Sequence, residues 1–113
     1  MDKGVTEIIN RYVLYLKNSD FHFDKVYLFG SYAKNKQSEY SDIDLAFVFD
    51  NKKPIDFFDL QVQMLTLASD IDSRIEPHPI SSDDFNLTNP LAYEILNTGK
   101  EIRIPAPVCI EFL

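Results

Sequence analysis

Lys25-Val26-Tyr27-Leu28-Phe29-Gly30-Ser31-Tyr32-Ala33-Lys34 and, with ten residues between Ser31 and Asp42, Asp42-Ile43-Asp44-Leu45-Ala46-Phe47-Val48-Phe49 decide how this chain folds. The run 25–29 is short and rich in β-branched and aromatic residues, so it reads as a strand that Gly30 ends. Ser31 through about Lys36 is expected to wind into one or two helical turns. The polar link 37–41 then leads to a second strand, 42–49. Its alternation puts Asp42, Asp44, Ala46 and Val48 on one face and Ile43, Leu45, Phe47 and Phe49 on the other. Apolar residues on both faces beyond Asp44 predict a strand covered on both sides.

Outward from this pair of strands, the pattern is of a mixed α/β chain. Val5, Ile8, Ile9, Tyr12 and Leu16 recur at three-to-four spacing and predict a helix over 2–18, broken by Asn18-Ser19-Asp20. Phe21-His22-Phe23-Asp24 reads as a loop. The turn at 50–54 is followed by the strongest helix signal, 55–71. It has Phe57, Leu60, Met64, Leu67, Ala68 and Ile71 on one face and Phe58, Val62 and Leu65 beside it, a stripe broad enough to predict a largely buried helix. Arg74 to Ile80 is β-like in spite of Pro77 and Pro79, which make it an edge strand or a strand that ends early. A short helix over 90–97 starts on Pro90 and is capped by Gly99, and 100–104 offers a last strand before Pro105 and Pro107. The fold class expected is α/β (α+β), a small mixed sheet flanked by helices, in one domain spanning 1–113.

Composition limits the partners. Eleven basic residues face 18 acidic ones, a net charge of -7, and the densest cationic groups are Lys34/Lys36 and Lys52/Lys53. A groove that tracks a long nucleic acid needs clustered cations, so no long RNA or DNA is expected. A few local charges with metal ions suffice for a free nucleotide. No apolar run approaches the roughly 20 residues of a membrane span, and the start Met1-Asp2-Lys3-Gly4 is unlike a signal peptide. The one cysteine, Cys109, forms no internal disulfide or zinc site and reads as a small apolar residue, so the expected location is the cytoplasm.

The chemistry lies in G-S-x10-D-x-D. Gly30 lets the backbone turn sharply and approach a ligand, and Ser31 can offer a hydroxyl and the N–H groups of a helix start to phosphate. Ser31 as a plain helix cap is the simpler reading of that residue alone. Asp42 and Asp44, on one strand face, would repel each other and raise each other's pKa unless cations resolve it. Two Mg²⁺ ions about 4 Å apart, clamping the attacking and leaving oxygens of an in-line displacement, are one resolution. Two solvated acids at a frayed strand start are another. By chance this spacing would occur in a chain of this length about once in several hundred.

With these residues, the chain resembles the DNA polymerase β-type nucleotidyltransferase superfamily. It is most similar to the minimal nucleotidyltransferases, short proteins often acting as antitoxins to HEPN-domain toxins. The resemblance is carried by Leu28-Phe29-Gly30-Ser31-Tyr32-Ala33-Lys34 and Ser41-Asp42-Ile43-Asp44-Leu45. It implies a polymerase β-like fold and Mg²⁺-dependent transfer of AMP from ATP to an acceptor hydroxyl. It also implies a metal site of Asp42, Asp44 and a third carboxylate on a later strand, with Gly30, Ser31 and Lys34 at the phosphates. Asp70, Asp72 and Glu76 are the candidates for the third acid. Glu76 is chosen because it lies in the β-like run, although an edge-strand surface acid would look the same. Three carboxylates and two Mg²⁺ leave about +1 for a triphosphate near -4.

Two departures from the family pattern stand out. Lys34 replaces an arginine and loses its fork, and Asn35 replaces a glycine, which it can do in a left-handed backbone. His78 shares a strand face with Glu76 and reads first as a hydrogen-bonded structural histidine, second as a nucleotide or proton contact. Phe57, Phe58 and Phe85 read as core rather than as base-stacking surface. The acidic balance and small size favour a protein acceptor, such as a tyrosine of a HEPN toxin. The rival readings are a small cationic acceptor such as an aminoglycoside, and an antitoxin that acts by binding alone. The edge strand and aromatic surplus permit a homo-oligomer without requiring one.

Overall fold

The computed structural model describes residues 3–38, 41–50 and 55–104. The expectations placed on Asp2, Lys52, Lys53, Pro54, Pro105, Pro107 and Cys109 lie outside the described residues. Within them the order is α1 (Lys3–Asn18), β1 (Phe23–Phe29), β2 (Ile43–Phe49), α2 (Phe57–Ala68), β3 (Ile75–Ser81), α3 (Pro90–Thr98) and β4 (Lys100–Ile102). The strands form one mixed sheet in the order β3-β2-β1-β4. β1 runs antiparallel to β2 and β4, whereas β2 and β3 are parallel. Three helices and a four-stranded mixed sheet are the polymerase β-like arrangement that the sequence predicts.

The alternation of β2 is used on both faces. Ile43, Leu45, Phe47 and Phe49 enter a core with Val5, Ile9, Tyr12, Val13 and Leu16 of α1 and Met64 and Ala68 of α2. Ala46 and Val48 enter a smaller cluster with Tyr27, Phe29 and Ile80 and with Ala92 and Ile95 of α3. The buried Tyr12 hydroxyl donates to the Met64 carbonyl at 2.7 Å and so ties α1 to α2. Burial alone drives the Tyr12 pKa well above its ordinary value, since an anion there would have no water to solvate it.

Several boundaries differ from the sequence expectation, and three of the differences have a clear local reason. β1 begins at Phe23 instead of Lys25, because the buried Phe23 pairs with Phe49 across a bulge before Lys25. Lys17 fixes this entry, with Nζ donating to the Phe23 carbonyl at 2.7 Å and lying 4.1 Å from the ring centroid. α2 starts on its Asp56 cap and stops at Ala68, where Ile71 and Asp72 both turn back to the Ala68 carbonyl. The segment after Gly30 is a single wound turn rather than a helix. Ala33 and Lys34 donate to the Gly30 carbonyl, and Asn35 ends the turn with φ 56°, the left-handed backbone in which it can stand for glycine.

α2 is the main correction. Only Met64 and Ala68 on it are buried, while Phe58, Val62 and Leu65 are 77%, 47% and 49% exposed. A periodic stripe shows which apolar residues share a face, not whether a neighbour packs on each of them. In the fold α2 covers only one side of the sheet, so its outer apolar residues stay partly or largely exposed among the described residues, and Phe58 is surface rather than core. Phe57 and Phe85 do pack against the two clusters, as expected.

β3 is an edge strand, and its prolines sit where an edge allows them. Pro77 and Pro79 face Leu45 and Phe47 in the parallel register. The Pro77 carbonyl accepts from Gln61 Nε2 of α2 at 3.0 Å, so α2 closes this part of the edge. α3 begins with Asn89 accepting from the Leu91 and Ala92 N–H groups, followed by Pro90. Gly99 closes it because a Cβ there would meet the Ile95 carbonyl oxygen at 2.5 Å. Among the described residues no helix is long and apolar enough to cross a membrane.

Candidate active site

The site is built where β2 starts. The parallel register sets Asp44 beside Glu76, and the antiparallel register sets it beside Phe29, the residue before Gly30. Alternation on β3 then adds His78 to the Glu76 face. Each of Asp44, Glu76 and His78 offers one ligand atom, and these atoms lie within 4.8 Å of one another. His78 Nε2 is 3.3 Å from Asp44 Oδ1 and 4.0 Å from Glu76 Oε1. The Phe29 ring packs on the imidazole edge-on at 5.1 Å and limits its orientation.

Asp42 stands one residue before β2, exposed, within hydrogen-bonding reach of Glu76. The closely spaced set therefore differs from the three acids chosen from sequence: His78 takes part in it, and Asp42 sits at its rim. The expectation of a hydrogen-bonded His78 is met by its contact with Asp44. Asp70 and Asp72, the other third-acid candidates, are engaged elsewhere. Asp70 accepts from the Tyr15 hydroxyl, and Asp72 accepts from Arg74 Nη2 at 3.0 Å.

Crowding acts on these acids in the direction that invites a cation. Burial is the largest influence on Asp44 and pushes its pKa up; His78 pulls it back, and the charges of Asp42 and Glu94 push it further up. Glu76 is raised by burial, then by its hydrogen bond with Asp42 and by the Asp44 charge, again with His78 opposing. A divalent ion among them would reverse this logic and favour the charged forms. Carboxylate oxygens suit hard cations such as Mg²⁺, and an imidazole extends the set toward Mn²⁺ or Zn²⁺. The donor set thus fits a divalent metal.

The Gly30-Ser31 turn closes one side. Gly30 has φ +75°, and a Cβ on it would lie 2.5 Å from Asp44 Oδ2. Only glycine gives both the left-handed backbone and the space that the carboxylate fills. Ser31 is half-buried at the start of the turn. Lys34 extends from the same turn toward α3, its Nζ 3.8 Å from Glu94 Oε2. Glu94 is the charged neighbour that the sequence reading missed. Nothing in its helix marks it, and only the packing of α3 beside β1 brings it near Lys34 and Asp44.

Comparison with known proteins agrees with this geometry. The family model described as polymerase beta, nucleotidyltransferase matches residues 12–104. No curated protein matches significantly. Among solved structures, a toxin–antitoxin crystal structure with AMP-PNP superposes with a TM-score of 0.62 at 23% identity, covering 88% of this chain and 73% of that one. A mutant of the toxin–antitoxin pair MntA–HpeT gives 0.59 at 22% identity, over 86% and 72%. A protein from Sulfolobus solfataricus, provisionally assigned as a nucleotidyltransferase, gives 0.57 at 25% identity, over 70% and 68%. The sheet order, the glycine turn against a strand acid and the length of the sequence match have one reading in common: this chain belongs to the polymerase β nucleotidyltransferase family.

Proposed function

We propose that the chain transfers AMP from ATP to a hydroxyl of a protein partner, a tyrosine of a HEPN-type toxin, and thereby acts as its antitoxin. The observation that carries the transfer reading is the convergence of Asp44, Glu76 and His78 beside the Gly30 turn. Two of the structures sharing this fold are toxin–antitoxin assemblies, one of them with AMP-PNP, which supports the choice of partner and of nucleotide. The net charge of -7 also favours a protein over a polyanionic acceptor.

Asp42, Asp44 and Glu76 would hold the divalent ions, two Mg²⁺ in this reading, with His78 close by. When bound, the metal supplies positive charge against the triphosphate and the developing charge of the transition state. The chain's own residues do the rest. Gly30 brings the backbone close to the β- and γ-phosphates, Ser31 donates its hydroxyl, and Lys34 contributes a cation after leaving Glu94. Glu76 accepts the proton of the acceptor hydroxyl. The acceptor oxygen then bonds to the α-phosphorus as the bond to the bridging oxygen breaks, and pyrophosphate leaves.

The test is intact-mass spectrometry of the chain, ATP, Mg²⁺ and the cognate toxin. The partner should gain whole AMP units, and Asp44→Asn should abolish the gain while the protein stays folded. Toxin rescue by a folded Asp42→Asn/Asp44→Asn variant equal to wild type would instead establish neutralisation by contact alone.

A further inference from the structure

The outer face of α2 is where the chain has an unused surface. Phe58, Val62 and Leu65 follow one another at spacings of four and three, so they line one side of the helix, and they are 77%, 47% and 49% exposed. Single exposed apolar residues are ordinary, but a contiguous row of three large ones is a feature of interaction sites. Val62 also borders a cleft of about 410 Å³, lined by Ser19, Phe21, Gln63, Thr66 and Leu67, which continues the row toward the end of α1. The site acids lie elsewhere, on the sheet face that turns toward α3.

Charge chooses the occupant. Between residues 55 and 73 every charged residue is an aspartate, namely Asp56, Asp59, Asp70 and Asp72. Asp72 is held by Arg74, while Asp56, Asp59 and Asp70 are exposed around the helix. A second copy of this chain would bring the same apolar row bordered by the same acids, at a net charge of -7 against -7. A partner with a similar row bordered by cations meets no such opposition.

We infer that the Phe58–Val62–Leu65 face of α2 is a docking surface for an amphipathic helix of a partner protein whose apolar ridge is flanked by Lys or Arg. One large apolar side chain of that ridge enters the cleft over Phe21 and Leu67. The surface lies away from the carboxylates, so a partner held here leaves the transfer site open. The inference stands whether or not the partner is also the AMP acceptor.

A synthetic 18-residue helical peptide of leucine and lysine, with leucines at the same four-and-three spacing, is the probe. Titrated into the ¹⁵N-labelled full chain, it should shift the amides of Phe58, Val62, Leu65 and Phe21, and its leucine–glutamate counterpart should not. Val62→Asp decides between docking and plain charge attraction. It adds a negative charge, so charge capture alone would strengthen binding, whereas docking on the apolar row predicts at least a tenfold weakening. Val62 is exposed, so the variant should keep its circular dichroism spectrum. If it does not, Leu65→Gln serves, with the same weakening expected. Unchanged or tighter binding by the variants overturns the inference. So does sedimentation showing a wild-type dimer that Val62→Asp dissociates, which would assign the face to a second copy.

Discussion

Gly30 and Asp44 occupy one another's space: the Asp44 Oδ2 atom fills the position 2.5 Å from where a Cβ of residue 30 would be. The carboxylate is thus held against bare backbone. Gly30→Ala has two costs, a left-handed backbone at φ +75° and the displacement of Asp44. The first is worth about 1–2 kcal/mol, and the second moves a candidate ligand. We expect a loss of roughly that stability in urea, together with at least a tenfold weaker response of the melting temperature to Mn²⁺. An alanine variant that keeps the wild-type metal response would show that the tight fit has no bearing on the site.

Glu76 beside Asp44 gives a prediction with opposite signs in two conditions. Both carboxyls have raised pKa values in the fold. The folded state therefore binds protons more tightly than the unfolded one, and stability falls as pH rises through the range above the ordinary carboxylate values. In EDTA at neutral pH, Glu76→Gln should melt higher than wild type, by about 1–3 °C, since partly exposed charges interact by under ~1 kcal/mol. With Mg²⁺ or Mn²⁺ the order should reverse, because the cation stabilises the wild-type acids and finds a weaker set in the variant. Scanning calorimetry at pH 5 and pH 8, with and without metal, checks both signs. A variant that melts lower than wild type in EDTA would mean that Glu76 is structurally favourable without metal.

What could be read from the sequence follows from how far each signal reaches. The alternation Ile43-Asp44-Leu45-Ala46-Phe47-Val48 reports both faces of β2, because both are covered and each residue type states its own surroundings. Glu76 is singled out from the other candidate third acids by a weaker cue, its place in the β-like run 74–80 in spite of Pro77 and Pro79, and the parallel register sets it beside Asp44. The pattern of α2 misled because periodicity tells which residues share a face but not whether anything packs on it. Phe58 and Phe57 are neighbours of the same type, yet one is surface and the other meets Phe49. The Lys34–Glu94 pair was illegible for another reason. It joins a turn to a distant helix, and no local rule connects them.

Tyr12 tests the seam between α1 and α2. Its hydroxyl is buried and donates to the Met64 carbonyl at 2.7 Å. Tyr12→Phe keeps the ring, including its edge contact with Phe47 at 5.9 Å, and removes only the donor. The carbonyl lies within α2 and keeps its helical donor, so what is lost is one buried hydrogen bond, about 0.5–1.5 kcal/mol. Chemical denaturation should show that loss, with the denaturant slope unchanged. A difference below a few tenths of a kcal/mol would mean that water or another donor replaces the hydroxyl.

Glu94 tests how Lys34 is used. In the free protein the ammonium lies 3.8 Å from the Glu94 carboxylate, and both side chains are about 40% exposed. In the proposed function, a triphosphate arriving at the Gly30-Ser31 turn would draw Lys34 away from this partner and also approach the Glu94 charge itself. Both effects oppose nucleotide binding, so Glu94→Gln should lower the KM for ATP and leave kcat nearly unchanged. An exposed pair is worth up to about 1 kcal/mol, which limits the gain to roughly fivefold. The gain should shrink in high salt, where exposed charges are screened. Lys34→Gln should raise KM in either background. A Glu94→Gln variant with a higher KM would reverse the assignment and make the ion pair the device that aims Lys34 at the phosphates.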